Sequence, residues 1–378
     1  MIKSWSYKDE YKELRKKILR SIDKSIKSGQ IFFGKEFHNF EKEFIKQNNL
    51  KHGAAVSSGT DALYIALLGL GIGVGDEVIT VSNSAIPTVS AIVSTGAKVR
   101  FVDVGNDYLL NANKLEKQIS KKTKAIIPVH LYGHACDMNK ICKIAKKHKL
   151  KIIEDCAQAQ GAEFNGVKVG NFGDAGCFSF YPTKILGSYG DAGFISTKSK
   201  QLCEKIKKIR FYGIEQNNKS NIYNKKYYSN IHGINSRIPE IQSAILNLKL
   251  PMVNNWIKKR RKLAEIYYQE LKFTSLKLPY ENKVDNCKHV FHLYVVYHPK
   301  RDLIIKKLKK RQIAVNINYP FPIHKMKGYK NFILNKNTKL PFSEKFSKGV
   351  FSLPLYPKLK TKNLYYITNV LKKILLSI

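Results

Sequence analysis

The stretch AGCFSFYPTKILGSYGDAGFIST, residues 175–197, indicates how the chain folds. It begins and ends with short apolar runs, AGCFSFYP and AGFIST, which predict two buried strands. Similar runs occur upstream at 77–82, 98–104, 124–133 and 151–156, with helical segments between several of them. Such alternation is typical of an α/β fold, in which a mixed, mostly parallel sheet is covered on both faces.

The chain is long enough for two domains, since 378 residues exceed what one hydrophobic core usually serves. The alternation of strands and helices ends near Leu250-Pro251, where a long basic helix begins. Beyond it the sequence predicts a strand, HVFHLYVVYH (289–298), an extended segment at 314–324 and a closing helix at 361–376. We therefore predict a large α/β domain within 1–250 and a smaller α+β domain over 251–378.

The formal net charge of +39 suggests a nucleic-acid-binding protein at first sight. However, the 58 lysines are spread over the whole chain and outnumber the 9 arginines, whereas proteins that read bases and phosphates favour arginine. A bias of surface positions towards lysine explains the charge better, so no nucleic-acid partner is expected. The charge would still attract anionic substrates over a distance.

The six cysteines form no CxxC pair, and no histidine stands at zinc-ligand spacing from them. We expect reduced thiols and no metal site. The N-terminal residues lack the apolar core of a signal peptide, and no run reaches about 18 apolar residues. These features predict a cytoplasmic protein without a membrane span.

Lys184 stands alone in a gap in the lysine distribution. It is the only lysine between Lys168 and Lys198, where the average density would place about four. Its neighbours are rich in glycine and aromatic residues, and such surroundings lower the pKa of an ammonium group, as an amine nucleophile requires. The alternative is a lysine that only extends its charged end to the solvent.

Two further segments suggest ligand contacts. SSGT (57–60) lies between a predicted strand and helix, where Gly59 and Thr60 would leave backbone N–H groups free for a phosphate. Asp155 follows a buried strand, at the edge where open α/β sheets bind ligands, and Gln158 comes three residues later. The alternative for SSGT is ordinary helix capping, and the alternative for Asp155 is a helix N-cap or an acid in a loop.

Together these residues predict a site for pyridoxal 5'-phosphate. The helix start would hold its phosphate, Asp155 would keep its ring nitrogen protonated, and Lys184 would bind its aldehyde covalently. A set of motifs spread along the chain then resembles the DegT/DnrJ/EryC1/StrS sugar aminotransferases, which have the fold-type I architecture of pyridoxal-phosphate enzymes. These motifs are GKEFHNFEKEF, SSGTDAL, GDEVITV, AIIPVHLYGHACDM, IIEDCAQAQGA, VGNFGDAGCFSFYPTKILGSYGDAG, GINSRIPEIQSAIL, HVFHLYVV and SLPLYP.

The resemblance implies a role for each matching residue. Lys184 is the lysine that binds the cofactor and transfers protons, Asp155 pairs with the ring nitrogen, and Gln158 lies against the ring near its 3-hydroxyl. The phosphate contacts are Gly59, Thr60 and Ser179, with Asn235 reaching the phosphate of a partner subunit. The site would therefore lie at a homodimer interface.

The resemblance also implies a substrate class. Where many family members have an aromatic residue over the cofactor, this chain has Ala85, within AIPTVSAI. That form resembles the branch that uses L-glutamate to aminate dTDP-linked 3-keto-6-deoxyhexoses, which serve surface glycan (for example lipopolysaccharide) or related sugar synthesis. The alternatives are a C-4 aminotransferase and a non-catalytic regulator that binds the cofactor. Candidate sugar-nucleotide contacts, each of which could instead serve packing, are Tyr181, Arg237, Asn318, Tyr319 and His324.

Overall fold

A seven-stranded sheet forms the centre of the N-terminal part of the protein. The structure, a computed structural model, describes residues 1–214, 228–279, 286–335 and 338–378. The strands of the described residues, including those outside this sheet, are β1 (His52–Val56), β2 (Glu77–Val81), β3 (Lys98–Val102), β4 (Thr123–Ile126), β5 (Lys151–Asp155), β6 (Glu163–Phe164), β7 (Val167–Lys168), β8 (Ala175–Ser179), β9 (Gly193–Thr197), β10 (Cys287–Lys288), β11 (Tyr294–Tyr297) and β12 (Val350–Leu353).

The large sheet has the order β1-β9-β8-β5-β4-β2-β3. Strands β3, β2, β4, β5 and β8 pair in parallel, whereas β9 is antiparallel to both β8 and β1. Strand β1 therefore runs in the same direction as the parallel group. The mixed, mostly parallel sheet predicted from the sequence is confirmed.

Helices of the N-terminal part cover both faces of this sheet. The helices of the described residues are α1 (Lys8–Lys27), α2 (Lys35–Gln47), α3 (Gly59–Gly69), α4 (Ile86–Ser94), α5 (Ala112–Leu115), α6 (Met138–Lys147), α7 (Lys200–Ile209), α8 (Glu240–Lys249), α9 (Val253–Leu271), α10 (Arg301–Lys310), α11 (Pro341–Gly349) and α12 (Thr361–Leu376). Along β1, Ala54 and Val56 enter the core on one face while Ala55 enters the core on the other. This period of two is what a strand covered on both faces requires.

The C-terminal part has a core of its own. Apolar side chains of α9, α10 and α12 pack there around the two-stranded sheet of β11 and β12, and Ile2 and Trp5 from the N-terminus lie against it. Ile323, Ile333 and Leu340, however, join the core of the large sheet. The C-terminal part thus contributes to both cores, and a boundary at residue 250 stays a prediction.

Two predicted extended segments form less regular structure than expected. In the segment 289–298 only Tyr294–Tyr297 is a strand, because the N–H groups of Val290 and Leu293 donate to the carbonyls of Gly133 and Tyr132 instead of to a neighbouring strand. The segment 314–324 contains an isolated bridge from Asn316 to Ser352 and otherwise no β-pairing.

All six cysteines are free thiols, and four of them are buried. Among the residues that the structure describes, no helix combines the length and the apolar character needed to cross a membrane.

Candidate active site

The sheet brings several segments together at one edge. Strands β1, β2, β4, β5 and β8 run in the same direction, so the residues that follow them lie on the same side of the sheet. Strand β9 starts at that side because it runs in the opposite direction. In open α/β sheets this carboxyl edge is where ligands bind.

A cavity of about 250 Å³ opens at this edge. It is lined by Ser58, Gly59, Thr60, Leu63, Ser84, Ala85, Pro87, Thr88, Val129, Asp155, Ala157, Gln158, Ser179, Tyr181, Lys184 and Asp191. Seven of the residues predicted from the sequence are among them, namely Gly59, Thr60, Asp155, Gln158, Ser179, Tyr181 and Lys184. The cavity therefore joins the segments singled out by the sequence.

The N-terminus of α3 forms one end of the cavity. Ser58 caps this helix by accepting a hydrogen bond from the N–H of Asp61 at 3.0 Å. Gly59 lies so close to Ser179 that a Cβ on it would be 2.6 Å from the Ser179 Cβ. The first N–H groups of the helix have no acceptor within it and suit an anion.

Lys184 lies in the loop between β8 and β9. Its N–H donates to the Tyr181 carbonyl at 2.8 Å, which holds the turn that carries the side chain. Burial lowers the pKa of the Lys184 amine to about 8, although the carboxylate of Asp155 favours the charged form. A substantial fraction of neutral amine is therefore present near pH 8, as a nucleophile requires.

This burial has a cost in stability that can be measured on the cofactor-free protein. The folded-state pKa of Lys184 is about 8 against 10.5 for an exposed lysine, so the unfolded chain binds more protons between those pH values and stability rises with pH across that window. At pH 7 the full penalty of about 3 kcal/mol applies. We expect Lys184→Met to stabilise the cofactor-free protein by up to this amount at pH 7 and much less at pH 10, by urea unfolding. The exposed Lys200 provides a control, since Lys200→Met should not change the pH dependence.

Asp155 is held rigidly at the end of β5. One carboxylate oxygen accepts a hydrogen bond from the Thr88 hydroxyl at 2.7 Å, and the other accepts one from the N–H of Ala157 at 3.1 Å. Burial raises the pKa of Asp155, while these two donors and the charge of Lys184 lower it. A buried carboxylate with fixed donors is arranged to pair with a cationic group in the cavity.

The other five predicted residues do not line the cavity. The Asn235 side chain accepts from Nε of Arg237 at 3.0 Å, and the Arg237 guanidinium lies 4.4 Å from the ring centroid of Phe32. Both ring nitrogens of His324 are engaged, Nδ1 with the Ser82 hydroxyl at 2.6 Å and Nε2 with Glu344 at 3.1 Å.

Asn318 and Tyr319 lie close to the cavity wall. The Tyr319 hydroxyl accepts a hydrogen bond from Nε2 of Gln158 at 2.8 Å. The Asn318 side chain accepts one from the Ser352 hydroxyl at 2.8 Å. Both residues therefore have protein partners, which their positions in the sequence could not show.

Sequence reasoning missed four polar residues that line the cavity, Ser58, Ser84, Thr88 and Asp191. Ser58 and Thr88 stand in segments already singled out, SSGT and AIPTVSAI, and Thr88 is a polar residue at an otherwise apolar helix start. Its bond to Asp155 joins residues 67 positions apart. That contact depends on the pairing of β2, β4 and β5, which local sequence does not specify.

The groups in the cavity fit one kind of cofactor. A helix N-terminus with a glycine approach suits a phosphate, a fixed buried carboxylate suits a protonated ring nitrogen, and an amine of lowered pKa suits an aldehyde. Pyridoxal phosphate carries these three groups. Fold and cavity together therefore define a pyridoxal-phosphate-dependent enzyme.

Comparison with known proteins identifies the family. The model of the DegT/DnrJ/EryC1/StrS aminotransferase family matches residues 12–372, and the chain belongs to this family. A dTDP-3-amino-3,4,6-trideoxy-alpha-D-glucose transaminase from Micromonospora megalomicea subsp. nigra is 41% identical, with 94% of each chain covered. A pleiotropic regulatory protein from Geobacillus stearothermophilus is 39% identical (95% and 94% covered). A UDP-N-acetyl-3-dehydro-alpha-D-glucosamine 3-aminotransferase from Acidithiobacillus ferrooxidans is 38% identical (96% and 95% covered).

Solved structures agree on the fold and the cofactor. DesV from S. venezuelae is 35% identical and superposes with a TM-score of 0.91, covering 97% of this chain and 96% of that one. NtdA from Bacillus subtilis, solved with bound PMP, the amino form of the cofactor, is 30% identical with a TM-score of 0.86 (96% and 82% covered). The protein is thus a fold-type I enzyme of a pyridoxal-phosphate-dependent family.

Proposed function

We propose that this nucleotide-sugar aminotransferase transfers the amino group of L-glutamate to C-3 of a dTDP-linked 3-keto-6-deoxyhexose. The product would be a dTDP-3-amino-3,6-dideoxyhexose for surface glycan or related sugar synthesis. The observation that carries the proposal is the juxtaposition, in a member of this family, of the Lys184 amine, the Asp155 carboxylate and the α3 N-terminus around one cavity.

The residues of the chain would divide the work. When bound, pyridoxal phosphate would stabilise the negative charge that forms on carbon when a proton is removed. Lys184 Nζ, whose pKa of about 8 lies near working pH, takes the proton from Cα of the amino-acid donor and later returns one to the sugar carbon. Asp155 keeps the ring nitrogen protonated, and Gly59, Thr60 and Ser179 hold the phosphate. In this proposal Tyr181, 50% exposed on the cavity wall, contacts the sugar nucleotide.

Two observations support amination at C-3. The Micromonospora enzyme is named for a dTDP-linked 3-amino sugar, and the Acidithiobacillus enzyme is named for a UDP-linked 3-dehydro sugar. Both names place the reaction at C-3. Ala85 also lines the cavity where many family members have an aromatic residue, and the AIPTVSAI segment around it resembles the branch that aminates C-3. The dTDP nucleotide is proposed because the dTDP-linked enzyme shares more identity with this chain.

The proposal extends to assembly and location. Asn235 and Arg237 do not line the cavity of their own chain, which supports a homodimer in which Asn235 contacts the phosphate, and Arg237 the substrate, of the partner subunit. Six free thiols suit the reducing cytoplasm.

A regulator that binds the cofactor without transferring amino groups is the second candidate, because one relative carries a regulatory name. A regulator would show the absorbance of the bound cofactor but no change of that absorbance on addition of L-glutamate. The lowered pKa of the Lys184 amine, close to the Asp155 carboxylate, favours the enzyme.

The decisive assay supplies L-glutamate together with either a 3-keto or a 4-keto dTDP-6-deoxyhexose. We expect 2-oxoglutarate and a 3-amino sugar from the 3-keto substrate, with the position of nitrogen read by NMR. The UDP-linked 3-keto sugar serves as the matched nucleotide control and should turn over at least tenfold more slowly at equal concentration. A 4-amino product, or no product with a normal response to glutamate, would overturn the C-3 assignment.

A further inference from the structure

We propose that Tyr319 is a positioning residue that fixes the amide of Gln158 in the cavity wall. The inference rests on the proposed function for its kinetic readout and concerns the same site. Gln158 lines the cavity and is 6% exposed. Its side chain is held at both ends, by Tyr132 at the oxygen and by Tyr319 at the nitrogen.

The orientation of the Gln158 amide follows from its partners. Oε1 lies 2.8 Å from the backbone N–H of Tyr132, and a backbone N–H can only donate. The amide oxygen must therefore face Tyr132, and the NH₂ group must face Tyr319, whose hydroxyl oxygen lies 2.8 Å from Nε2. Rotating the amide by 180° would leave the Tyr132 N–H without an acceptor in a buried place, which is costly.

A second contact ties the same two segments together. The Tyr132 hydroxyl donates a hydrogen bond to the carbonyl of Asn318, the residue before Tyr319. Tyr132 itself has a φ of 61°, a left-handed conformation uncommon for a residue with a large side chain. Gln158, Tyr132, Asn318 and Tyr319 thus form a closed circuit that joins the loop after β4 to the C-terminal part.

Burial keeps the Tyr319 hydroxyl protonated. Burial raises the pKa of Tyr319 to about 12, with a further contribution from the nearby charge of Asp155, against the lowering effect of the Gln158 bond. Tyr319 therefore remains a neutral hydroxyl throughout the working pH range and can accept the Gln158 hydrogen bond.

The test is a double-mutant cycle of Tyr319→Phe and Gln158→Ala, with two readouts. The first is the dissociation constant of the cofactor, measured by absorbance on protein stripped and reloaded with pyridoxal phosphate. The second is KM and kcat for L-glutamate in the half-reaction. A positioning role predicts that Tyr319→Phe weakens cofactor binding about three- to tenfold, the range of one buried hydrogen bond. It also predicts almost no further effect of Tyr319→Phe once Gln158 is alanine.

Additive effects of the two changes would overturn the proposal, since they would mean that Tyr319 acts on a ligand directly. An effect confined to KM for L-glutamate, with cofactor binding unchanged, would do the same. Tyr365→Phe, at an exposed tyrosine on α12, is the control and should leave both readouts unchanged. Should Tyr319→Phe fold poorly, Tyr132→Phe breaks the circuit at the Asn318 carbonyl and should also lose its effect in the Gln158→Ala background.

The cycle remains informative if the sugar assignment fails. Its first readout uses only the protein and pyridoxal phosphate, so coupling between Tyr319 and Gln158 can be present in a protein that aminates neither keto sugar. Conversely, normal sugar turnover with no coupling would reject the positioning role alone.

Discussion

Lys184→Ala is expected to lower turnover by at least about 1000-fold. In the proposed mechanism this variant loses the amine that binds the cofactor's aldehyde and the group that moves the proton at the donor Cα. Lys184 is also the only lysine lining the cavity in the described part of the chain, so no neighbouring amine can replace it there. The measurement is 2-oxoglutarate formation at saturating glutamate and keto sugar, together with the form of cofactor that remains bound.

The matched control is Lys200→Ala, at an exposed lysine on α7, which should retain wild-type turnover. Small primary amines added to Lys184→Ala should restore part of the activity, because they can enter the cavity and carry the proton. Turnover within tenfold of wild type in the absence of added amine would show that another group performs the proton transfer.

Asp155→Asn is expected to reduce kcat by about 100-fold or more. Asparagine has nearly the same shape but no charge, so it cannot keep the ring nitrogen protonated. The Ser84 and Thr88 hydroxyls lie 2.9 Å apart and can exchange donor and acceptor roles, which lets Thr88 accept from the new NH₂ group. The loss should therefore reflect charge and not a change of shape, as circular dichroism and the melting temperature would confirm.

Thr88→Val tests the support of the Asp155 carboxylate separately from its charge. It keeps the carboxylate but removes the donor at 2.7 Å from Asp155, and we expect a loss of about three- to tenfold, the range of one buried hydrogen bond. A kcat for Asp155→Asn within threefold of wild type would show that the carboxylate does not control the ring nitrogen. Equal losses in the two variants would indicate that placement of the side chain matters more than its charge.

The sequence was sufficient to locate the groups whose chemistry depends on local context. Lys184 was visible as a gap in lysine density, and Asp155 as an acid at the end of an apolar strand. The first prediction needs only the lysine count, and the second needs only the direction of the strands, which the alternation of apolar runs and helices indicates. In the structure both residues lie on the wall of one cavity, while their roles remain proposals.

Contacts between distant segments could not be predicted in this way. The Gln158–Tyr319 bond joins residues 161 positions apart, and the bond between Ser82 and His324 joins residues 242 apart. Tyr319 and His324 were therefore chosen as candidates by residue type alone. The structure gives each of them a partner within the protein, and only the three-dimensional fold contains that information.

The free thiols around Asp155 make opening of the sheet measurable by chemical labelling. Cys156 follows Asp155 directly, and Cys177 on β8 is the register partner of Asp155. Burial raises the pKa of both thiols well above the ordinary value, and the thiolate is the form that reacts with alkylating reagents. In the native protein these two cysteines are thus protected from modification. The rate at which they become alkylated under mild denaturant would report how often this part of the active-site sheet separates, without any label having to be engineered into the enzyme.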